Sequence, residues 1–438
     1  MMAAASTASC YSPLDPTSKT IRLLLLSPNL NANDGRIQCS LVETPLDGAR
    51  PYEALSYTWG MPDDLELKIY LDSTLITVRR NLWAALCSLQ KDISHDRVLW
   101  IDALCIHQED MKERNHQVGF MGEIYKQAEV VLAWLGEPSD AALHDEIFSD
   151  FQHDKPTNGH KRTTCSPKLA FDMLRAAAAA AGANALNIDI EMMVPIDRLD
   201  RWFMEFGQSI KFRAQWKLVL EMCNVEYWNR LWIIQEIGLA RRVKVLYGNA
   251  HCDWDDFSIP ISILSYWRDT FNRSGNNPSI PFSVLSGLRA SFTRVAHTEG
   301  RFIPETSLGF AFKESPVAKF VERGFRQPGG MMRSGSLTSL LSISENSHCQ
   351  ERKDRIYGLL GFLSDERAQI PVDYSKSLYQ IFEDVIKSVI QQYTCKPALL
   401  VHFSEALQRA LLGPLEKESD PCQMFEEETV STLWGNGQ

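Results

Sequence analysis

One carboxylate stands out because it lies in an almost wholly apolar stretch. Glu236 falls within Trp228–Ala240 (WNRLWIIQEIGLA), whose apolar residues occupy nearly every direction of a helical wheel, which predicts a mostly buried helix. An unpaired charge in such a place costs several kcal/mol. Glu236 therefore needs either an ion-pair partner, for which Arg230 and Arg114 are the candidates, or a role in a functional cleft.

Other polar side chains directly follow apolar runs that are typical of buried strands. Asp102 follows Val98–Ile101 (VLWI), and Trp59 and Gly60 follow Ala54–Tyr57 (ALSY). Ligands of open α/β sheets gather at the carboxyl ends of strands, so Asp102 is predicted to serve a site, with capping of the next turn as the alternative. Gly60 permits a tight turn, and Trp59 either forms the wall of a pocket for a planar base or packs in the core.

Two amides and a Cys-His pair complete the candidates. Gln108 and Gln235 can read the donors and acceptors of a ligand or tie backbone groups together, and the backbone role is favoured for Gln108. Cys105 and His107 suggest a cysteine nucleophile, but no third group is placed to orient them. The histidines and cysteines lack zinc-ligand spacing, so no metal site is expected.

The elements that must position these residues follow an α/β pattern. Ile21–Ser27 and Ile37–Val42 are apolar runs around an Asn-Asp-Gly turn, which predicts an N-terminal β-hairpin. Val98–Ile101 and Val130–Leu135 are typical of buried strands, and the helical spacing of Asn115–Ala128 between them predicts a right-handed βαβ crossover. The sequence therefore predicts a parallel sheet flanked by helices.

The alternation of strands and helices is interrupted twice. A helical insertion is predicted at about 138–222, and Ser/Asn/Pro-rich sequence predicts an irregular linker at 256–350. The α/β domain is expected to span 21–255. A smaller, mainly helical region is expected at 351–438, and residues 1–20, which are small and polar, are expected to be disordered.

Composition limits the classes of partner. A net charge of -10 over 438 residues, with no long Lys/Arg cluster, disfavours nucleic acid as a partner. No stretch reaches the roughly 20 apolar residues that a membrane span needs. Because the N-terminus also lacks the pattern of a secretory signal, a cytoplasmic protein without membrane association is expected. The ten cysteines contain no C-x-x-C pair and are expected to be reduced thiols.

Three segments resemble signature blocks of the fungal heterokaryon-incompatibility (HET) domain, in the order of that family. They are Tyr52–Gly60 (YEALSYTWG), Leu99–Gln108 (LWIDALCIHQ) and Trp228–Ala240. The resemblance covers roughly residues 21–248.

A later segment extends the resemblance. Asp354–Gly361 (DRIYGLLG) with Val372–Tyr374 (VDY) is similar to a region that often follows a HET domain. Two features depart from the family pattern: His107 occupies a position that is usually Asn, and a long insertion precedes Trp228.

The resemblance carries expectations about fold and chemistry. HET domains are similar to TIR domains in topology, so a TIR-like, flavodoxin-like core is implied. In NAD-cleaving TIR enzymes, a glutamate that follows a tryptophan on the equivalent helix is catalytic, which makes Glu236 the implied catalytic residue. It would hold the ribose hydroxyls of NAD and stabilise the oxocarbenium-like state as nicotinamide leaves. NAD would be a substrate, and no cofactor is expected. The residues expected to bind the substrate are Tyr57, Trp59, Gly60, Asp102, Gln108, Arg230, Trp232 and Gln235.

The resemblance also implies a biological role in fungal non-self recognition and programmed cell death. The expected partners are proteins of the incompatibility system, together with further copies of this chain. A non-catalytic module that signals by self-association is the rival to NAD cleavage. A polar cavity that reaches Glu236 would favour catalysis, whereas a glutamate sealed in an ion pair would favour signalling.

Overall fold

A computed structural model shows two compact units, residues 1–333 and 334–438. The structure describes residues 11–28, 35–60, 67–91, 93–139, 165–181, 202, 205–206, 212–274, 315–322, 326, 336–363, 370–390 and 397–412. The division between the units lies inside the stretch predicted as a linker, and helices occupy described parts of that stretch.

The first unit is built on one mixed sheet. Nine strands of the described part pair in the order β5-β4-β2-β1-β6-β3-β7-β8-β9. The strands are Thr20–Leu26 (β1), Gln38–Pro45 (β2), Glu53–Tyr57 (β3), Leu67–Leu71 (β4), Thr74–Val78 (β5), Arg97–Trp100 (β6), Val130–Trp134 (β7), Val243–Tyr247 (β8) and Ala250–Asp253 (β9). The α/β class is confirmed.

Four adjacent strands of this sheet, β6, β3, β7 and β8, run parallel. Strand β3 lies in the middle, with Ala54 opposite Trp100 on one side and Val131 on the other. All five residues of β7 are buried, as are the last four of β3. Continuous burial explains their apolar runs, because a central parallel strand has no face exposed to water. The predicted βαβ crossover from β6 to β7 is present and passes over β3.

The prediction of a parallel sheet beside an N-terminal hairpin is confirmed only in part, because the sheet is mixed. The predicted N-terminal hairpin is present, with Leu24 opposite Leu41. Its first strand also pairs antiparallel with β6, where Leu24 lies opposite Leu99. The hairpin is therefore part of the main sheet, and β4–β5 and β8–β9 add two more antiparallel pairs.

The first unit contains nine α-helices within the described residues. They are Arg80–Gln90 (α1), Asp102–Cys105 (α2), Met111–Gly119 (α3), Met121–Gln127 (α4), Pro167–Ala181 (α5), Arg213–Asn224 (α6), Ile233–Gly238 (α7), Trp254–Ser274 (α8) and Pro316–Glu322 (α9). Of the predicted helical insertion, α5 and α6 are described, and most of its remainder lies outside the described residues. Helix α8 occupies the start of the predicted linker and packs against α5.

The predicted continuous helix over 227–240 is wrong. A 3₁₀ helix, Glu226–Asn229, is separated from α7 by a break at Arg230, whose backbone is extended at φ -67° and ψ 135°. Packing explains the break, since the Trp228 indole stacks on Phe257 with ring centroids 5.7 Å apart and donates from Nε1 to Met222 O at 2.7 Å. The orientation of Trp228 is therefore fixed by these tertiary contacts and not by the short helix to which it belongs.

The N-terminal segment has defined contacts from residue 11 onward, although disorder is predicted through residue 20. The Tyr11 ring stacks on His107 with centroids 4.7 Å apart, and its hydroxyl donates to Leu104 O at 3.2 Å. Arg22 donates from Nη2 to Ser12 O at 2.6 Å. Residues 1–10 lie outside the described part.

The second unit contains both later sequence blocks, DRIYGLLG and VDY. Its helices are Leu337–Ile343 (α10), Asp354–Tyr357 (α11), Leu378–Ile390 (α12) and Pro397–Leu412 (α13). The buried carboxylate of Asp354 accepts a hydrogen bond from the Tyr374 hydroxyl at 2.7 Å, and Tyr357 donates to Asp373 O at 3.0 Å. The DRIYGLLG and VDY blocks are thus joined by hydrogen bonds between their polar side chains and backbone.

Two properties of the described residues bear on the expectations from composition. Seven cysteines are described, and all are free thiols. None of the described helices combines the length and apolar character required to cross a membrane.

Candidate functional site

The candidate site lies at the edge of the sheet where the parallel strands β6, β3, β7 and β8 have their carboxyl ends. After β3 the chain continues to β4, which lies on the β6 side of the sheet, whereas after β7 it continues to β8 on the opposite side. Because the chain leaves these two adjacent strands in opposite directions, their connecting segments diverge. Such a switch point is where open α/β sheets form a ligand crevice.

Glu236 lies on α7 and is only 2% exposed. Its Oε2 accepts a short hydrogen bond from the Ser56 hydroxyl on β3. The Tyr227 hydroxyl lies 2.5 Å from Ser56 Oγ. When Glu236 is ionised it can only accept, so the single hydroxyl hydrogen of Ser56 points to Glu236 and Tyr227 donates to Ser56.

Arg230 is the cation beside this carboxylate. Its Nη1 lies 3.6 Å from Glu236 Oε2, and the two side chains are 17% and 3% exposed, respectively. Of the two partners considered from sequence, the structure selects Arg230 over Arg114. In a continuous helix, Arg230 and Glu236 would lie on different faces. The extended backbone at Arg230 interrupts the helix and allows the two side chains to meet.

Asp102 and Trp59 lie next to this pair. Asp102 begins α2 immediately after β6, and its Oδ2 accepts from Trp59 Nε1 at 3.0 Å. The backbone oxygen of Asp102 accepts from Gln108 Nε2 at 2.8 Å, so the Gln108 amide ties a backbone group. The Arg79 guanidinium lies 5.6 Å above the Trp59 ring, a cation–π contact.

Burial and mutual charge set the electrostatics of this cluster. Burial raises the pKa of Glu236 and of Asp102 above the ordinary carboxyl values, and the attraction of Arg230 offsets this only in part. Burial acts to lower the pKa of Arg230, but Glu236 and Asp102 outweigh it, so the pKa is raised. Two carboxyls therefore share one cation in a desolvated place, an arrangement that is common at functional sites.

A pocket of about 1150 Å³ opens at the switch point. In the order of the strands it lies on the β7 side of Trp59, whereas Asp102, which is bonded to Trp59, lies on the β6 side. Its walls come from the segments that follow β3, β7 and β8 and from the first turns of α1 and α5. The lining residues are Trp59, Gly60, Arg80, Asn81, Ala84, Glu137, Pro138, Ser139, Ser166, Pro167, Lys168, Gly248, Asn249 and Ala250. Its volume lies just above the range of about 300–1,000 Å³ that is typical of small-molecule sites.

Side-chain hydrogen bonds fix the walls of this pocket. Asn81 on α1 donates from Nδ2 to Thr58 O at 2.6 Å and accepts from Trp134 Nε1 at 2.8 Å, which joins the ends of β3 and β7. Glu221 on α6 accepts from Ser139 N at 2.9 Å and from the Tyr247 hydroxyl at 2.6 Å. The pocket is therefore preformed by bonds between separate elements.

Glycines end three of the four parallel strands at this edge. Gly60, Gly136 and Gly248 follow β3, β7 and β8 and have φ of +76°, +103° and +57°. Only glycine adopts this left-handed region without strain, so each strand can turn sharply into the pocket wall.

The predicted site residues divide into three groups. Trp59 and Gly60 line the pocket, whereas Asp102, Arg230 and Glu236 form the charged cluster behind Trp59. The other predicted residues have separate positions: Gln108 bonds to backbone, Trp232 is half-buried at the start of α7, and Tyr57 and Gln235 are buried at 3% and 1% exposure. Glu236 is not among the described residues that line the pocket.

Sequence reasoning missed three residues that complete the site. Ser56 and Tyr227 form the hydrogen-bonded path to Glu236, and Asn81 joins two strand ends. A signal existed for Ser56, because a hydroxyl within the buried strand ALSY must have a partner. The other two partners depend on tertiary packing that spacing does not reveal.

The cysteine-nucleophile reading gains no support from the geometry. Cys105 is 1% exposed, and burial raises the pKa of its thiol to about 12, so the reactive thiolate does not form near neutral pH. The His107 ring is engaged with Tyr11. No group of three His, Cys, Asp or Glu side chains in the described ranges could hold a metal ion.

Comparison with known proteins adds two matches. Residues 52–236, which include β3, α2 and most of α7, match the family model described as heterokaryon incompatibility protein (HET). A curated relative from Neurospora crassa, heterokaryon incompatibility protein 6, OR allele, is 24% identical over 418 residues. That match covers 86% of this chain and 53% of the relative, so the chain spans about half the length of that protein. No solved structure matches the chain significantly.

Proposed function

Because this chain is a HET-domain protein, we propose that it acts in heterokaryon incompatibility, the rejection of non-self between fungal strains, and that its output is programmed cell death. The family match and the Neurospora crassa relative support the first part of this proposal. The cell-death output comes from the family resemblance.

At the level of chemistry, the proposal is NAD cleavage with Glu236 as the catalytic residue in a TIR-like core. The observation that carries it is a buried carboxylate at the carboxyl ends of parallel strands, in a cluster that shares Trp59 with a preformed pocket. The four parallel strands flanked by helices are compatible with a TIR-like arrangement. Trp59 offers an aromatic wall for a planar base, and Arg80 places a cation at the pocket for a phosphate.

The proposed reaction breaks the bond between the ribose anomeric carbon and the nicotinamide nitrogen. The bonding electron pair moves to that nitrogen, so nicotinamide leaves neutral and the ribose gains oxocarbenium character. The Glu236 carboxylate accepts hydrogen bonds from the ribose hydroxyls and offsets the positive charge. Water then adds to the anomeric carbon and loses a proton, which gives ADP-ribose.

This chemistry requires Glu236 to become accessible. Arg230 lies beside Glu236 and is 17% exposed, so its long side chain is the group whose movement would uncover the carboxylate. Ser56 would remain bonded to Glu236 and orient it. The reaction also requires the ionised form of Glu236. Because its pKa is raised, activity should fall as pH drops through that raised value.

The second candidate is a non-catalytic module that signals by self-association. The observation that favours it is the closed state of Glu236, which is 2% exposed, bonded to Ser56 and adjacent to Arg230. In this function the cluster fixes the position of α7, and partner proteins or further copies of the chain receive the signal.

The deciding experiment measures NAD consumption by the purified protein, with and without a crowding agent that promotes assembly. Glu236→Gln keeps the shape of the side chain and removes its charge. Glu129→Gln is the matched control, since Glu129 is an exposed acid that follows α4. Turnover by the wild type and the control but not by Glu236→Gln would support catalysis. No turnover in any assembled state would reject NAD cleavage and leave the signalling module.

A further inference from the structure

A short segment outside the matched family region holds the element that carries Glu236. This segment, here called the strap, consists of Ser315–Glu322 together with Arg326. It includes helix α9, whose Val317, Ala318 and Phe320 are buried at 0%, 1% and 3% exposure. The strap belongs to the first compact unit and follows the matched residues 52–236 in sequence.

The first contact of the strap is with a residue that precedes Arg230 in the sequence. The Phe320 ring lies 6.1 Å from the ring of Trp228, measured between centroids, and also 6.1 Å from that of Trp254. Trp228 belongs to the 3₁₀ helix that ends one residue before Arg230. Phe320 therefore packs against the N-terminal end of the segment that bears the ion pair.

The second contact lies after Glu236. Arg326 is 5% exposed, and its Nη1 donates to Ile237 O at 3.0 Å and to Ala240 O at 2.6 Å, while Nη2 donates to Arg241 O at 3.2 Å. Ile237 belongs to the last turn of α7, and Ala240 and Arg241 directly follow the helix, so Arg326 binds the chain where it leaves the C-terminal end of α7. A cation there also complements the helix dipole.

We propose that Arg326 is a positioning residue for the Arg230–Glu236 pair and that the strap is a latch on the segment between Trp228 and Arg241. While the strap is seated, both ends of this segment are held and Glu236 stays sealed beside Arg230. Withdrawal of the strap frees the C-terminal end of α7 and lets the pair separate. The regulatory meaning of this latch rests on the proposed function, but its structural content does not.

Hydrogen exchange followed by mass spectrometry tests the latch on the full chain, without any assay of NAD. Arg326→Gln removes the cation and most of its hydrogen bonds. We expect exchange in peptides covering 226–241 to rise on the order of tenfold, with peptides covering β7 unchanged. Arg326→Lys keeps the charge with fewer donors, and an intermediate rise is expected.

Arg355→Gln is the matched control, because Arg355 also donates to two backbone carbonyls, Ser344 O at 2.8 Å and Glu345 O at 3.0 Å, but lies in the second unit. It should leave exchange over 226–241 unchanged. The latch is overturned if Arg326→Gln leaves that exchange unchanged, or raises it equally in β7, since that would mean general destabilisation. If the exchange results support the latch but the protein does not consume NAD, only the proposed NAD cleavage is rejected.

Discussion

At the scale of single residues, the central feature is one guanidinium that serves two buried carboxyls. Arg230 lies 3.6 Å from Glu236, and its charge also lowers the pKa of Asp102 against the opposing effect of burial. Such an arrangement stabilises a protein little as a whole, because the charges lose hydration, but it is sensitive to loss of one member.

Replacement of Glu236 by alanine should therefore destabilise the fold. Glu236→Ala leaves Arg230 beside only Asp102 and removes the partner of Ser56, and we expect a loss of about 3 kcal/mol in the free energy of unfolding. Urea denaturation measures it. Glu129→Ala, at an exposed acid, should change the same quantity by less than about 0.5 kcal/mol. Equal effects of the two substitutions would contradict the buried pair.

The raised pKa of Glu236 predicts an unusual pH dependence. The folded state holds the proton of Glu236 more tightly than the unfolded state, whose pKa is near the ordinary 4.5. The stability from this protonation is fully present below the unfolded pKa and is lost as pH rises through the folded pKa. The stability of the wild type relative to Glu236→Gln should thus increase as pH is lowered from neutral toward the unfolded pKa. A relative stability that falls over this range would mean that the pKa is depressed instead.

Sequence predicts the features of this site that depend on the local pattern of residues, but not those that depend on tertiary packing. The burial of Glu236 follows from its apolar neighbours, and so does its need for a partner. The choice of Arg230 does not follow, because it depends on the helix break that the packing of Trp228 on Phe257 imposes. The hydroxyls of Ser56 and Tyr227 come from elements far apart in the chain.

At the scale of elements, the ends of three parallel strands turn at glycines. One of them, Gly248, is also crowded, because a Cβ there would lie 3.1 Å from Pro138 Cδ, whereas a Cβ on Gly35, in an unrelated turn, would meet nothing within 4 Å. Both have positive φ, of +57° and +72°. Backbone strain is therefore common to both positions, and crowding is specific to the pocket wall.

Alanine substitutions at these two glycines should separate strain from crowding. Gly35→Ala should lower the free energy of unfolding by about 1 kcal/mol, from the left-handed backbone alone. Gly248→Ala should cost about 2 kcal/mol, because the ring of Pro138 must also shift. Denaturant unfolding of both variants provides the measurement. An equal loss of stability in the two variants would show that the loop after β7, which contains Pro138, can shift without an energetic penalty.

The elements themselves were partly predictable. Apolar runs reveal β3, β6 and β7, because buried parallel strands carry no polar alternation. The pairing of the hairpin with β6 through Leu24 and Leu99 was not readable, since an antiparallel edge and a parallel one can present similar apolar runs. Sequence therefore indicated an α/β sheet but not that it is mixed.

At the scale of the whole molecule, the compact unit that bears the site extends to residue 333. A protein that ends at 333 should unfold cooperatively, whereas one that ends at 314 lacks the strap. Loss of the buried Phe320 ring alone should lower stability by roughly 3 kcal/mol or more. Thermal unfolding followed by tryptophan fluorescence compares the two. If both truncated proteins melt together, the strap is dispensable to the unit.

The strap bears on which part of the chain carries the complete site. The matched family region ends at Glu236, inside helix α7, while the arginine that binds the end of that helix lies at position 326. A fusion event that copied only the matched region into another gene would transfer the carboxylate without the arginine that fixes its helix. The stretch of chain needed for the complete site is therefore longer than the matched region.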